Sequence, residues 1–198
     1  MAVNQPAIDR LKLDEAFGAG TFKPFNECWT VRMDTELLVV DDDTEKVSRF
    51  SDDKEESIKA LLIINENNRQ IVLLSIDNKL IKDHEGGITD CALFDKEQFR
   101  FVEFKTNAYG NSEQSVRDTF DKATGQLTET IQVFKDRLGK VNIQFEDSVT
   151  ICCHIVISHR FPKSRAVKQE YQINFADENN SIPLYFSEKT YWEPKKDL

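Results

Sequence analysis

The residues best placed to do chemistry are an acid and a base, Glu103 and Lys105, that lie close together in an apolar run. The segment FRFVEFKT (99–106) has the β-prone residues of a strand. Residues two apart on a strand share a face, so this carboxylate and ammonium are expected about 6.6 Å apart. In such a pair the carboxylate could bind a cation, and the lysine could orient or deprotonate a water molecule bound to that cation.

A second acid, Asp90, is expected to face Glu103 from a neighbouring strand. ITDCALFD (88–95) is another apolar run, separated from the first by a short polar turn, which is typical of a β-hairpin. If the hairpin closes symmetrically, paired residue numbers sum to 193, and Asp90 lies opposite Glu103. Cross-strand Cβ atoms are about 5 Å apart, so these carboxylates repel each other unless a cation lies between them. Oxygen ligands of this kind suit Mg²⁺ or Mn²⁺.

The elements after the hairpin complete an α/β unit. Asn111 or Ser112 could cap a long helix that Gly139 could end, and Gly125 inside it could kink or break it. VTICCHIVIS (149–158) is typical of a buried strand. The helix is indicated by apolar residues at spacings of three and four: Val116, Phe120, Ala123, Leu127, Ile131, Phe134 and Leu138.

Asp90, then twelve residues, then Glu103-Phe104-Lys105, resembles the motif of the PD-(D/E)xK nuclease superfamily. The core of that family is a hairpin carrying these residues, followed by a helix and another strand, and the resemblance covers about residues 86–158. It implies a restriction-endonuclease-like α/β fold, a mixed sheet flanked by helices. We expect it here as a single domain, 1–198, with extra N- and C-terminal strands.

The resemblance also implies an activity, the metal-dependent hydrolysis of phosphodiester bonds, usually in DNA. Asp90, Glu103 and the Phe104 carbonyl would be the ligands of Mg²⁺ or Mn²⁺, and Lys105 the catalytic lysine. In some branches a glutamine of the following helix also lines the site, and Gln126 is the most similar residue here.

The sequence departs from the family pattern in two places. Thr89 stands where the family has its name-giving proline, and Thr130 follows Gln126 by four residues where some branches have tyrosine. Many relatives also carry an acid on an early helix, for which Glu15 and Glu56 are both candidates.

A reading without chemistry also fits these residues. Glu103 and Lys105 could form an ion pair at a strand end, while Asp90 caps a turn after Gly86-Gly87. His84 and Glu85 just before could approach the site or lie in a surface loop.

The charge distribution is unusual for a protein that grips DNA, because phosphate contacts supply most nonspecific affinity. The net charge is −9, and residues 34–57 hold ten acids against three bases. In contrast, Arg160, Lys163, Arg165 and Lys168 lie within nine residues that include no acid. These four residues are candidates for nucleic-acid contacts, with a solvated loop as the alternative.

The flanking segments are less clear. CWTVRM and ELLVV are expected strands before an acidic loop, DDDTEKVSRFSDDKEE. SIKALLIINENNRQIVLLSID is expected to form a hairpin turning at 66–68, or alternatively a helix through Leu62 and one strand. YQINF and PLYF are expected as a final strand pair. The nearby aromatics Tyr185, Phe186, Tyr191 and Trp192 could stack on bases, pack in the core or mark a protein contact.

Composition limits the class of protein. With 39% hydrophobic residues, including 14 Phe, the chain can fill a substantial core. No run approaches the roughly 18 apolar residues of a membrane span, and MAVNQPAIDRLKLDEAFG lacks the features of a signal peptide. A cytoplasmic protein without membrane contact is therefore expected. The four cysteines form no disulfide framework or CxxC pair, and Cys152, Cys153 and His154 are expected to be structural.

Two functional hypotheses follow. The first is a metal-dependent DNA endonuclease, a subunit of a restriction or phage-defence assembly, which acts with a protein partner or a second copy of the chain. The second is a catalytically silent nuclease-fold subunit, or an acidic DNA mimic, that binds a basic protein.

Overall fold

Two β-sheets and a set of helices make up the part of the chain that the structure describes. The structure is a computed structural model, and it describes residues 6–82, 87–108, 112–157 and 164–193. The strands in these ranges are β1 (Trp29–Arg32), β2 (Glu36–Asp42), β3 (Val47–Ser51), β4 (Ala60–Ile64), β5 (Ile71–Ser75), β6 (Cys91–Phe94), β7 (Gln98–Lys105), β8 (Thr150–Ile157), β9 (Leu184–Phe186) and β10 (Lys189–Tyr191).

The helices are concentrated at the N-terminus and after the central hairpin. The α-helices are α1 (Pro6–Arg10), α2 (Leu13–Phe17), α3 (Glu113–Lys140), α4 (Phe145–Ser148) and α5 (Arg165–Glu178). Short 3-10 helices cover Gly18–Gly20, Phe25–Glu27 and Lys54–Lys59. Within the described ranges, no helix is both long enough and apolar enough to cross a bilayer.

Both sheets are mixed. The larger sheet has the order β1-β5-β6-β7-β8-β9, antiparallel from β1 to β7 and parallel from β7 to β9. The smaller sheet has the order β10-β4-β2-β3, in which only the β10–β4 pair is parallel. The fold is therefore mixed α/β, as the sequence predicts at that level.

The central hairpin has the predicted register. Cys91 pairs with Val102 and Phe94 pairs with Phe99, so partner numbers sum to 193. A short turn joins two strands rich in apolar residues, and this local geometry leaves little freedom in the pairing.

Alternation along β7 separates two apolar layers. Phe99 and Phe101 belong to the cluster under the helices, whereas Val102 packs between the two sheets. Successive side chains on a strand point to opposite faces, so Glu103 and Lys105 lie on the helix face.

An aromatic cluster holds helix α3 against the hairpin. The ring centroids of Phe94, Phe101, Phe134 and Phe145 lie 4.8–5.6 Å from that of Phe99. Each aromatic pair contributes about 0.5–1.5 kcal/mol beyond the burial of its area. The helix is thereby fixed across the strand that carries the candidate site.

Helix α3 begins where the sequence predicts. The hydroxyl of Ser112 accepts a hydrogen bond from the Ser115 N–H at 3.1 Å, whereas Asn111 lies outside the described residues. The helix runs unbroken through Gly125 and ends at Lys140, one residue after Gly139. All seven residues of the predicted apolar stripe are buried.

The hairpin predicted for residues 57–77 is wrong in its pairing. Its two strands exist as β4 and β5, which excludes the helical alternative, but they lie in different sheets. The Asn65 side chain accepts from the Arg69 N–H at 2.9 Å and donates to the Arg69 and Asp34 carbonyls at 2.8 and 3.1 Å. These bonds form a wide turn that carries the chain from one sheet to the other.

Two other segments differ from the prediction. YQINF lies in α5 rather than in a strand, because Val167, Tyr171 and Phe175 form an apolar stripe one turn apart and Ser164 caps the helix. PLYF does contain a strand, β9, but it pairs with β8. The expected acidic loop is instead a hairpin of β2 and β3, whose turn is closed by the Asp42 carboxylate.

Candidate active site

The predicted acids and lysine meet at one end of the central hairpin. Asp90 lies one residue before β6, at the position that the hairpin register sets opposite Glu103. Its Oδ2 accepts a hydrogen bond from the Phe104 N–H at 2.6 Å. Burial raises the pKa of Asp90 well above its ordinary value, and the charges of Glu103 and Asp41 raise it further.

Glu103 is a buried carboxylate whose two oxygens are in different situations. Its side chain is 1% exposed, and its Oε1 accepts a hydrogen bond from the Lys105 ammonium. Its Oε2 is buried and has no hydrogen-bond partner among the residues that the structure describes. The nearby Thr89 hydroxyl donates instead to the Val102 carbonyl at 3.0 Å. Burial raises the pKa of Glu103, while Lys105, the Thr89 hydroxyl and the Asp90 N–H all lie close enough to lower it.

Gln126 connects the lysine to the backbone before β6. Its Oε1 accepts from Lys105 Nζ at 2.8 Å, and its Nε2 donates to the Ile88 carbonyl at 2.9 Å. The structure therefore brings together the four side chains selected from the sequence, Asp90, Glu103, Lys105 and Gln126. The ion pair between Glu103 and Lys105 that the noncatalytic alternative predicts is also present. That alternative has Asp90 capping a turn, whereas the Asp90 carboxylate accepts from the Phe104 N–H in β7.

Thr130 and Gly87 were not selected from the sequence as supports of the site. The Thr130 hydroxyl accepts from the Thr89 N–H at 2.9 Å and donates to the Gln126 carbonyl at 2.7 Å. Gly87 has a φ of +82°, and a Cβ at this position would lie 3.1 Å from Gln126 Cγ. A polar residue one helical turn after Gln126 was the available signal for Thr130, since i and i+4 lie on one helix face.

A further acid, Asp41, approaches the site from the second sheet. Burial raises the pKa of Asp41, as do the neighbouring Asp43 and Asp77, while Lys105 lowers it. Asp41 is at the end of β2, inside the acid-rich run where sequence patterns single out no one residue. The early acids proposed from the sequence have other partners: Glu15 pairs with Lys12, and Glu56 pairs with Arg49.

The site opens into a groove of about 320 Å³ between β7 and the first turns of α3. Asp41 and Lys105 line one side of the groove, and Ser115, Asp118 and Lys122 of α3 line the other. An anionic substrate group in this groove would meet Lys105 and Lys122 beside the carboxylates of Asp41 and Asp118.

A larger cavity of about 750 Å³ lies at the opposite end of the strands. The carboxylates that line it, those of Glu97, Glu146 and Asp147, are all exposed. Exposed carboxylates are ordinary surface groups, whereas buried ones with raised pKa values are expected where a protein has a chemical task. Asp90 and Glu103 are not lining residues of the smaller groove. Its lining does include Asp41, whose pKa burial raises, and Lys105, which bonds to the buried Glu103, so the smaller groove is the candidate site.

The donor atoms fit a small hard cation that keeps part of its water shell. Among the described residues, no three carboxylate, imidazole or thiol side chains lie close enough to hold an ion between them. Mg²⁺, however, usually takes only one or two protein carboxylates together with water and substrate phosphate. The unpartnered Oε2 of Glu103 is an acceptor of that kind. The N–H of Phe104 points to Asp90. Because the N–H and C=O of one strand residue point to the same side of the strand, the Phe104 carbonyl is also directed towards the Asp90 side.

The remaining candidate residues are only partly described. Arg165 and Lys168 lie in the first turn of α5, while Arg160, Lys163, His84 and Glu85 lie outside the described residues. His154 is buried, and burial lowers its pKa to about 3. Burial likewise raises the pKa of the Cys152 thiol to about 11, so neither side chain is prepared for nucleophilic catalysis.

Comparison of the chain with protein-family models, with curated proteins and with solved structures gave no match. The functional argument therefore rests on the residues and geometry of the site.

Proposed function

We propose that the protein is a nuclease that hydrolyses phosphodiester bonds of DNA with Mg²⁺ or Mn²⁺. The observation that carries the proposal is the buried carboxylate pair beside a lysine, in which one Glu103 oxygen has no partner within the described part of the chain. Burying such a pair without a compensating cation is costly, and Lys105 satisfies only one oxygen. Asp90, Glu103 and the Phe104 carbonyl would hold the ion.

The chain's own residues have separate tasks in this reaction. A bound divalent ion would supply positive charge to the phosphate and lower the pKa of a coordinated water molecule. Lys105 presents an ammonium to the groove, where it can orient the attacking water or stabilise the charge that develops on the phosphate. Gln126 fixes the position of that ammonium through its bond to the Ile88 carbonyl. Asp41 adds negative charge that favours cation binding.

The order of elements supports the restriction-endonuclease-like fold. Asp90 and Glu103-Phe104-Lys105 lie on an antiparallel hairpin, α3 follows, and β8 returns parallel to β7. This is the order that the resemblance to PD-(D/E)xK nucleases implies, with β1 to β5 before the core and β9 and β10 after it.

The DNA-mimic alternative has weaker support. A mimic needs unpaired acids on its surface, but several acids of the 34–57 segment have internal partners. Arg32 bonds to Asp52 at 2.9 Å, and Arg49 bonds to Asp42 and Glu56 at 2.8 and 2.9 Å. The overall acidity instead supports the proposal that a protein partner or a second copy of the chain helps to bring DNA to the site.

Cleavage of a labelled DNA by the purified protein tests the proposal. We expect cutting with Mg²⁺ or Mn²⁺ that EDTA stops, and its loss by a factor of roughly 100 or more in Glu103→Gln and in Lys105→Met. Gln126→Leu should lower the rate less, because it only loosens Lys105.

Matched controls lie in the turn just before the same strand. Lys96→Met and Glu97→Gln change the same residue types at exposed positions and should leave cleavage unchanged. Glu103→Gln protein that is folded and cuts at the wild-type rate would refute the proposal.

A further inference from the structure

A second groove in the molecule is basic although the chain as a whole is acidic. Two adjoining depressions of about 490 and 450 Å³ share Gln172 and Phe186 as lining residues. Among the described residues that line them, none is acidic, whereas 35 of the 198 residues of the chain are Asp or Glu. We name this the basic groove, and its charged and aromatic members are Arg100, Arg165, Lys168, Lys189, Tyr185, Phe186 and Tyr191.

Two of the cations in the basic groove lie against aromatic rings of the same groove. Lys168 Nζ lies 5.7 Å from the centroid of the Phe186 ring, and Lys189 Nζ lies 5.2 Å from that of Tyr191. Tyrosine is often buried in a core, but Tyr185 and Tyr191 are 44% and 52% exposed. The fold brings Lys168 of α5 beside Phe186 of β9, whereas Lys189 and Tyr191 are already neighbours along β10.

Among the described residues, the buried Arg100 of the basic groove has no carboxylate partner, and its guanidinium lies 4.2 Å from the centroid of the Trp192 ring. The Arg100 guanidinium donates to the Thr190 hydroxyl at 2.7 Å, to the Tyr191 carbonyl at 2.9 Å and to the Gln98 side chain, all neutral acceptors. Arg100 is 7% exposed. Buried charges are usually paired, so this part of the groove favours an anion.

The basic groove lies at the edge of the sheet that carries the candidate active site, with Phe186 on the same face of the sheet as Glu103 and with Arg100 and Tyr185 on the opposite face. In the parallel strands Glu103 is level with Ile155, and Ile155 is level with Phe186. At about 4.8 Å per strand, the backbones of Glu103 and Phe186 are roughly 10 Å apart.

We infer that the basic groove binds a single-stranded nucleic acid, with bases on Tyr185 and Tyr191 and phosphates near Lys189, Arg165 and Arg100. Stacking on a ring requires base faces that a duplex keeps covered, whereas the cations match a phosphate backbone. That the bound strand is the one delivered to the candidate active site rests on the proposed nuclease function. Binding itself is independent of cleavage.

Fluorescence anisotropy with labelled oligo-dT and oligo-U in EDTA tests the inference on the full chain. Tyr185→Ala and Tyr191→Ala should each weaken binding by about 5- to 100-fold. Arg165→Gln and Lys189→Gln should each make the salt dependence shallower, by about 0.7 in the slope of log K against log salt. The two oligonucleotides distinguish a DNA strand from an RNA strand.

Phe22→Ala is the matched control. Phe22 is 44% exposed and has Lys23 and Lys82 against its ring, yet it lies outside the basic groove. Its replacement should leave binding unchanged. Wild-type affinity in the tyrosine double variant, or affinity for a duplex equal to that for a single strand, would overturn the inference. Since EDTA prevents cleavage throughout, a failed nuclease assay would leave this result intact.

Discussion

Replacing Asp90 by Asn should stabilise the protein in the absence of metal. The change removes one of two buried carboxylates at nearly constant volume, and the Asn oxygen can still accept from the Phe104 N–H. Two unit charges about 5 Å apart repel by roughly 3 kcal/mol at an effective dielectric constant of about 20. Lys105 and partial protonation offset part of this, so we expect a gain of about 1–2 kcal/mol at neutral pH. That is roughly 2–8 °C in melting temperature.

The gain should depend on pH in a defined direction. The pKa of Asp90 is raised in the folded protein, so its favourable contribution is full below the unfolded pKa of about 4. The contribution is lost as pH rises through the folded pKa. Calorimetry should therefore show that wild type and Asp90→Asn have similar stability near pH 4, roughly the unfolded pKa, and that the variant is more stable at neutral pH. Mn²⁺ should raise the melting temperature of wild type more than that of the variant.

Asp95→Asn provides a control of opposite sign. Asp95 is also buried, but its Oδ2 accepts from Trp192 Nε1 at 2.8 Å and faces Arg69 Nε at 3.1 Å. Its replacement should destabilise the protein because it leaves Arg69 without that partner. If Asp90→Asn is also destabilising and gains as much from Mn²⁺ as wild type, Asp90 is a structural residue and the reasoning is refuted.

Two further predictions concern backbone and pH. Gly87→Ala should lower the free energy of unfolding in urea by about 1–2 kcal/mol, because the residue has a positive φ and the added Cβ would press on Gln126. Gly125→Ala should instead raise the free energy of unfolding by about 0.5–1 kcal/mol, because beyond the adjacent helix backbone an added Cβ would have no described atom within 4 Å. Burial lowers the pKa of His154 to about 3, so wild type should lose stability as pH falls from about 6.5 towards 3, by up to about 1.4 kcal/mol per pH unit. His154→Phe should flatten this part of the pH profile, and an unchanged profile would mean that another group causes it.

Local features of the sequence were sufficient for the centre of the fold. The hairpin register follows from two apolar runs and a short turn, and it places Asp90 opposite Glu103. The helix followed from its apolar spacing, and Gln126 from the family resemblance. These features depend on residues that are neighbours in the chain, where pairing rules and helical periodicity operate directly.

Contacts between distant segments could not be predicted in the same way. Alternation of Tyr171, Ile173 and Phe175 suggested a strand, but the helical stripe that decides the structure begins earlier, at Val167. Asp41 reaches the site only because a second sheet covers the first, and no local pattern in an acidic run reports that packing.

The pairing of β10 with β4 has a consequence for how the chain folds. Leu62 lies beside Lys189, and Trp192 packs between the sheets, so this part of the smaller sheet must wait for residues far along the chain. Such distant contacts form late, and until then the edge of β4 exposes apolar residues and unpaired backbone groups. The most aggregation-prone state during refolding is therefore expected to be one in which the central hairpin is formed and this edge is still open.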